Sequence, residues 1–388
     1  MKGYLRQDGR KGIRNTLVVA YTVECAHYVA ERIVETFSAE EVHLIGFGGC
    51  APNDYANRIM ERLCTHPNVG AVLFVSLGCE NMDSGILQTA VAASGRPAGR
   101  VIIQESGGTR GAIAAGCDWV RQTLPALREA PTCGVDWSDL TVGTICGGSD
   151  ATSGITCNPA VGRAFDTLVA RGARCIFEEP GELIGCEESL RQRGVTPEVG
   201  EARAECLLKA DRYYKAMGHD SFSEGNATGG LTTIEEKSYG SYAKSGSGTI
   251  HGLLYPGDIP APAGLYLMDV VPDGEAKWGF PNVNDNAEIA ELAACGCQVV
   301  LFTTGRGSVV GSAICPVLKV CGNPLTFSRM EEDMDVNAGA VISEGKTLDD
   351  IRDEILARIE DCASGQPSKS EYLGHREFHL GYKSFCDR

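Results

Sequence analysis

Apolar and polar residues alternate along this chain in two rhythms. Short runs dense in branched residues, such as TLVVAYT at 16–22 and GAVLFVSL at 70–77, read as strands buried on both faces. Between them lie stretches with helical spacing. The pattern predicts a strand at 16–22, a helix over 26–37, a strand near 42–46 and a helix over 53–64. It continues with a strand at 70–77, a helix over 84–93, a strand at 100–104 and a helix over 109–124. Residues 125–139 (PALREAPTCGVDWSD) carry two prolines, several charges and no period, and read as a linker. Strand 140–145, helix 158–171, strand 174–178 and a helical stretch over 198–217 follow. Strand 265–271, helix 286–295, strand 298–303 and a last helix over 347–362 complete the set. Strands alternating with helices of this length predict α/β architecture with parallel sheets covered on both faces. The expected division is two Rossmann-like domains, 1–132 and 133–388. A Gly/Ser/Thr-rich segment at 219–264 interrupts the second as an irregular excursion, too long for an ordinary loop and so functional or partner-contacting. The polar residues after Gly365 read as an arm.

Composition narrows the function classes. A chain of 388 residues with 43% hydrophobic and 22% charged positions has core enough for two domains and is not disordered. Its 35 Lys+Arg against 51 Asp+Glu leave a net charge of −16, which argues against a nucleic-acid backbone or an anionic membrane as ligand. No apolar run has the length of a membrane span, and Met1 leads into polar residues rather than a leader, so the expected compartment is the cytoplasm. Seventeen cysteines, odd in number and irregular in spacing, then read as free thiols, most of them small buried hydrophobes.

Four cysteines stand apart because each lies in a polar, Gly-rich stretch at a strand end: Cys25 in YTVECAH, Cys50 in GFGGCAPND, Cys79 in SLGCEN and Cys146 in TICGGSDATSG. Open parallel sheets bind ligands at the C-terminal ends of their strands. Several thiols there suit a metal or iron–sulfur centre; the competing reading is four unrelated small residues in turns. Cys295 and Cys297 read as packing. In so acidic a chain, cations set among Gly, Ser and Thr are candidates for gripping a carboxylate, phosphate or sulfonate. They are Arg14 (beside Asn15), Lys237, Arg306 and Lys319. The loop FTTGRGSVVGS follows a strand but matches neither the P-loop nor the dinucleotide fingerprint. Carboxylates and hydroxyls form a third group: Glu80, Glu105, Asp150, Ser153, Glu178, Glu179, Glu182, Glu235 and Glu236. Elimination β to a carboxylate needs a base for the proton and an electrophile for the leaving group. Of seven histidines, His27 and His251 lie near these loops.

GYLRQDGRKGIRN, SLGCEN, CGGSDATSGITCNPAVG, GNATGGLTTIEEKS, FTTGRGS and MEEDMDVNAG occur in this order from residue 3 to about 340. Together they resemble the large subunit of the altronate/galactarate dehydratase family. The resemblance implies a lyase acting on an anionic α-hydroxy acid, with iron as cofactor, either a Cys-ligated [4Fe–4S] cluster or Fe2+. It also implies an oligomer with a separate small subunit of antifreeze-like (SAF) fold. The stretch MDVVPDGEAKWGFPNVNDNAEIAELAACGCQ departs from the short turn of the sugar-acid enzymes. With YTVECAH it looks more like the branch that cleaves (2R)-3-sulfolactate to pyruvate and sulfite. Sugar-acid dehydration is the second reading, and a non-catalytic metal-binding partner a third. Motif matching assigns the iron to Cys50, Cys79 and Cys146, with Cys25 in reserve. It assigns substrate oxygens to Arg14, Asn15, Ser149, Asp150, Thr304, Arg306 and Ser308, and the base to Glu235 or Lys237. The extra anion of a sulfonate would be met by Lys277 or Lys244.

Overall fold

The computed structural model describes residues 1–39, 41–274 and 283–385; Lys277 lies outside them. Two parallel sheets organise the chain. The first has four strands in the order Val42–Gly46, Thr16–Tyr21, Val69–Ser76 and Ala98–Ile102. The second has seven, in the order Ile250–Leu254, Gly264–Met268, Arg174–Phe177, Thr141–Cys146, Val299–Thr304, Val317–Cys321 and Val336–Asn337. Every pairing within these two sheets is parallel. Their central strands are buried along their whole length, as Val69–Ser76 is, because helices cover both faces. A small antiparallel sheet ties Lys2–Leu5 to Lys11–Gly12 and Cys133–Gly134.

The predicted α/β class holds, with three differences. The helix at 109–124 runs on to Arg128 with Pro125 inside it, so the first four residues of the expected linker are helical. The 219–264 segment is not irregular throughout: it holds helices Glu224–Thr228 and Ile234–Tyr242 and the edge strand Ile250–Leu254. The residues after Gly365 are not a free arm. Glu371, in the short helix Lys369–Leu373, pairs with Arg14 at 2.8 Å, and Lys383 is buried against Glu291 at 2.7 Å.

One hydrophobic core is shared by both sheets. It joins Val18, Phe74 and Ile59 of the first to Ile145, Met268 and Phe302 of the second. Helices Asp54–Cys64 and Asp285–Ala294 meet there, and the Tyr55 hydroxyl donates to Glu291 at 2.6 Å across the seam.

Candidate functional site

The C-terminal edge of the second sheet carries a buried lattice of charge. Strand Thr141–Cys146 ends on Cys146, and its neighbour Arg174–Phe177 ends just before Glu178 and Glu179. A tight turn at Pro180–Leu183 then brings Glu182 back. Glu179 is the one non-glycine residue among those described with a left-handed backbone, φ 73°. Such a conformation costs about 1–2 kcal/mol and marks a position held in place by its surroundings. Helix Ile234–Tyr242 lies across the edge, capped by the Thr233 side chain, and turns Lys237, Ser238 and Ser241 inward. Lys244 follows in the next turn.

These side chains interlock. The Cys146 thiol donates to Glu182 Oε2 at 2.9 Å, and its backbone N–H donates to Glu179 Oε2 at 2.9 Å. Lys237 Nζ lies 3.2 Å from Cys146 Sγ, 2.7 Å from Ser149 Oγ and 2.7 Å from Glu182 Oε2. Lys244 pairs with Glu179, and Ser241 donates to Glu182. Burial works to raise the Glu182 carboxyl, but Lys237 and Lys244 outweigh it and hold it down at about 2. Burial, and then the charge of Glu182, push Glu179 up to about 7. Burial followed by Glu179 and Glu182 pushes the Cys146 thiol up to about 12. Burial opposes the charge on Lys237, yet the carboxylate of Glu182, with Glu179 beyond it, keeps it protonated above the ordinary lysine range. The edge therefore offers fixed ammonium groups, one carboxyl titrating near neutrality and an un-ionised thiol.

Two cavities flank the lattice. One, of about 260 Å³, is lined by Ser149, Asp150, Asn158, Lys237 and Tyr239. The other, of about 140 Å³, is lined by Glu179, Glu182, Tyr214, Asp285 and Glu288. Close approach of the loops depends on missing side chains. A Cβ on Gly305 would fall 2.1 Å from Asp150 Oδ1, and one on Gly147 would fall 2.4 Å from Asp285 Oδ2.

Among the described residues, two groups have donor atoms close enough to share one ion: Cys146 with Glu179 and Glu182, and Glu178 with Glu179 and Glu288. In the first, the Lys237 and Lys244 ammonium groups already stand where a cation would. In the second, Glu178 has no hydrogen-bond partner on either oxygen, and burial raises Glu178 and Glu288 far above the carboxylate range, so both hold protons. Neither set fits a thiolate-bound iron.

The predicted site residues separate. Lys237, Ser149 and Cys146 meet, and Lys244 joins them. Asp150 is consumed in its own loop, accepting from Thr152 and from Asn323 at 2.8 Å. Thr304 accepts from Gly307 N, and Ser308 Oγ from Val310 N, so both organise the loop after strand Val299–Thr304. Arg306 is exposed at that edge and donates to Gly225 O. Glu235 is exposed on the first turn of its helix and does not enter the lattice. Arg14 and Asn15 precede strand Thr16–Tyr21, so they stand at the opposite, N-terminal edge of the first sheet. There Arg14 is spent on Glu371 and Asn15 on Arg6 and Leu127 O. Cys50 and Cys79 are exposed at the C-terminal edge of the first sheet and belong to neither donor group with Cys146. Sequence reasoning did not single out Asp285 and Glu288. The signal for them was acids recurring every third residue, Asp285, Glu288 and Glu291, in the alanine-rich helix DNAEIAELAA.

The comparisons with known proteins agree with this framework. The family model described as D-galactarate/altronate dehydratase, C-terminal, matches residues 137–385. The one described as D-galactarate dehydratase/altronate hydrolase, second domain, matches 3–128. The chain belongs to the D-galactarate/altronate dehydratase family. It is 33% identical over 393 residues to the (2R)-sulfolactate sulfo-lyase subunit beta of Chromohalobacter salexigens, covering 97% of this chain and 96% of that one. It is 31% identical over 397 residues to the altronate dehydratase of Bacillus subtilis, covering 98% of this chain and 77% of that one. With the L-threo-forming galactarate dehydratase of Escherichia coli it shares 32% over 393 residues, 94% of this chain and 73% of that one. A family of dehydratases and a sulfo-lyase makes this chain a lyase. Among the described residues, no helix is long and apolar enough to cross a membrane.

Proposed function

We propose that this lyase removes a β-substituent from a small anionic α-hydroxy acid, with (2R)-3-sulfolactate as substrate and pyruvate and sulfite as products. The carrying observation is Lys237. It is buried, held protonated by Glu182, and presented with Ser149 to the 260 Å³ cavity. An ammonium fixed before the substrate arrives gains strength from exclusion of water and costs no reorganisation during the reaction. Lys237 is therefore an anion anchor rather than the base. Glu179, which lines the adjoining 140 Å³ cavity on the other side of the Lys237–Glu182 pair, has at about 7 the proton affinity suited to a base for the C2 proton of a substrate that spans both cavities. The C3–S bond then breaks with its electron pair leaving on sulfite, and the resulting enol regains a proton at C3 to give pyruvate. Lys244 is the second fixed cation, buried behind Lys237 and paired with Glu179.

The sulfonate reading is supported by the alignment with the sulfo-lyase subunit along 96% of that relative. Sugar-acid dehydration is the second reading, favoured by the names of the other relatives. The word "subunit" in the sulfo-lyase name supports a separate small partner chain, for which the antifreeze-like fold is proposed. The test is a side-by-side assay with the small subunit present. Sulfite release from (2R)-3-sulfolactate is expected to exceed 2-keto-3-deoxy acid formation from altronate or galactarate. Turnover of the sugar acids alone would overturn the assignment.

A further inference from the structure

Glu178, Glu179 and Glu288 are all buried, and each has a carboxyl oxygen within 4.8 Å of the other two. They come from distant parts of the chain. The first two follow strand Arg174–Phe177, and Glu288 stands on helix Asp285–Ala294. Lys244 is paired with Glu179, and among the described residues no ion pair reaches Glu178 or Glu288. Two unpaired carboxyls buried beside a third hold protons, because burial and like charge both favour the neutral form.

Of these two proton-bearing groups, only Glu288 faces a cavity. It lines the 140 Å³ space with Glu179, Glu182 and Asp285, whereas Glu178 is not part of that wall. Asp285, one turn earlier on the same helix, is raised by burial and then by Glu182 only to about 6, so near neutrality it has largely given up its proton. The turn that carries Glu288 is held on both sides. Asn284 Oδ1 accepts from the Ala287 N–H at 3.1 Å, and Glu291 accepts from Tyr55 at 2.6 Å and from Lys383 at 2.7 Å.

We propose that Glu288 is a catalytic acid, delivering the proton that C3 of the enol gains once the β-substituent has left. The inference rests on the elimination proposed above, in which Glu179 already carries the C2 proton when the enol is formed. Glu288 gives its proton to the new C3–H bond while the enol O–H opens into the carbonyl. The hydroxyl proton leaves with sulfite as hydrogen sulfite. Glu179 then passes the C2 proton to Glu288, so that one carboxylate and one carboxylic acid are restored. Carboxyls this close do not readily ionise together, so a proton lost from one is drawn from the other.

The test follows the two products separately in Glu288→Gln, whose side chain is neutral and shaped like the protonated acid. The full chain is assayed on (2R)-3-sulfolactate with the small subunit, in dilute buffer and in single turnovers with enzyme in excess. Sulfite is measured by ion chromatography, and pyruvate by lactate dehydrogenase, which takes only the keto acid. In wild type the two products are expected together. In Glu288→Gln the pyruvate phase should run about 10²-fold behind the sulfite phase, and Glu288→Asp, which keeps the acid, should shorten that lag. Coincident products in Glu288→Gln would overturn the assignment. So would loss of sulfite release in a variant that melts as wild type does, since Glu288 would then belong to the elimination itself. A wild-type chain that releases no sulfite overturns the substrate reading instead, and the acid is then tested on altronate or galactarate in D2O. There wild type should place deuterium at one of the two C3 positions of the 2-keto-3-deoxy acid, and Glu288→Gln at both. A single position in both proteins would overturn the assignment.

Discussion

The two parallel sheets present their C-terminal edges in opposite chemical states. At the first, Cys25, Cys50 and Cys79 are exposed, and the loops that carry them are held by uncharged donors and by a carboxylate turned onto its own backbone. At the second, Cys146 is sealed among Glu179, Glu182, Lys237 and Lys244. The same strand-to-loop device thus yields one open edge of soft donors and one closed edge of compensated charge. A cysteine's position at a strand end does not decide its role; the charges around it do. Cys146 is held un-ionised, at about 12, by burial and two carboxylates, where the thiols of the first edge stand open. It serves instead as a hydrogen-bonding post between Lys237 and Glu182.

The largest break in this contrast should come from Lys237→Met. Losing one preorganised donor at a reacting anion costs on the order of 10²–10³ in rate, so kcat/KM should fall by about that factor. The change also strands Glu182 and Glu179 with one ammonium between them. A loss of about 3 kcal/mol in urea unfolding is expected, as for a broken buried ion pair. Lys237→Arg, which keeps the charge, should recover most of the stability and less of the rate. A kcat/KM within threefold of wild type in Lys237→Met, at full occupancy of the folded state, would remove the second edge from the reaction.

A smaller effect tests the proton inventory of the closed edge. If Glu179 takes the C2 proton it must be ionised, so kcat/KM should fall tenfold per pH unit as pH drops below about 7. Glu179→Gln should lower kcat/KM by about 10² and flatten that limb. A limb that survives the substitution belongs to another group.

Most of the fold was legible because strands buried on both faces read as continuous apolar runs, Val69–Ser76 being the clearest. Val317–Cys321 escaped notice because a lysine stands at its centre. Helix Ile234–Tyr242 escaped for a related reason: its inward face is Lys237, Ser238 and Ser241, so the residues that build the site erase the apolar period. Of the site, Cys146 was legible as a thiol in a Gly-rich loop at a strand end, Lys237 as a cation among Ser and Thr in an acidic chain, and Ser149 through the family motif. Arg14 and Asn15 precede strand Thr16–Tyr21 and so stand at the edge opposite the lattice; their substrate role rests on the motif alone. The partition of the thiols was hidden too, since burial of Cys146 beside Glu179 and Glu182 arises only when two strands and a helix from distant parts of the chain meet.

Lys319 separates the two causes that act together at the closed edge, burial and pairing. Like Lys237 and Lys244 it is buried in the second sheet, fully so at 0% exposure. Unlike them, its Nζ has no hydrogen-bond partner among the described residues, and Asp335, the carboxyl that acts on it most, accepts from the Lys319 backbone N–H instead. Burial therefore pushes this amine down to about 8, where the paired lysines are pushed up. Because the folded chain disfavours the ammonium, wild type carries a penalty on the order of 3 kcal/mol below pH 8. The penalty fades as pH rises from 8 towards the unfolded value of 10.5. Lys319→Met has no such term, so it should unfold at higher denaturant than wild type at pH 7, with the gap closing steadily by pH 9.5. A variant less stable than wild type at pH 7 would mean that Lys319 has an ionic partner after all, and that burial alone does not set the difference between the paired and unpaired lysines.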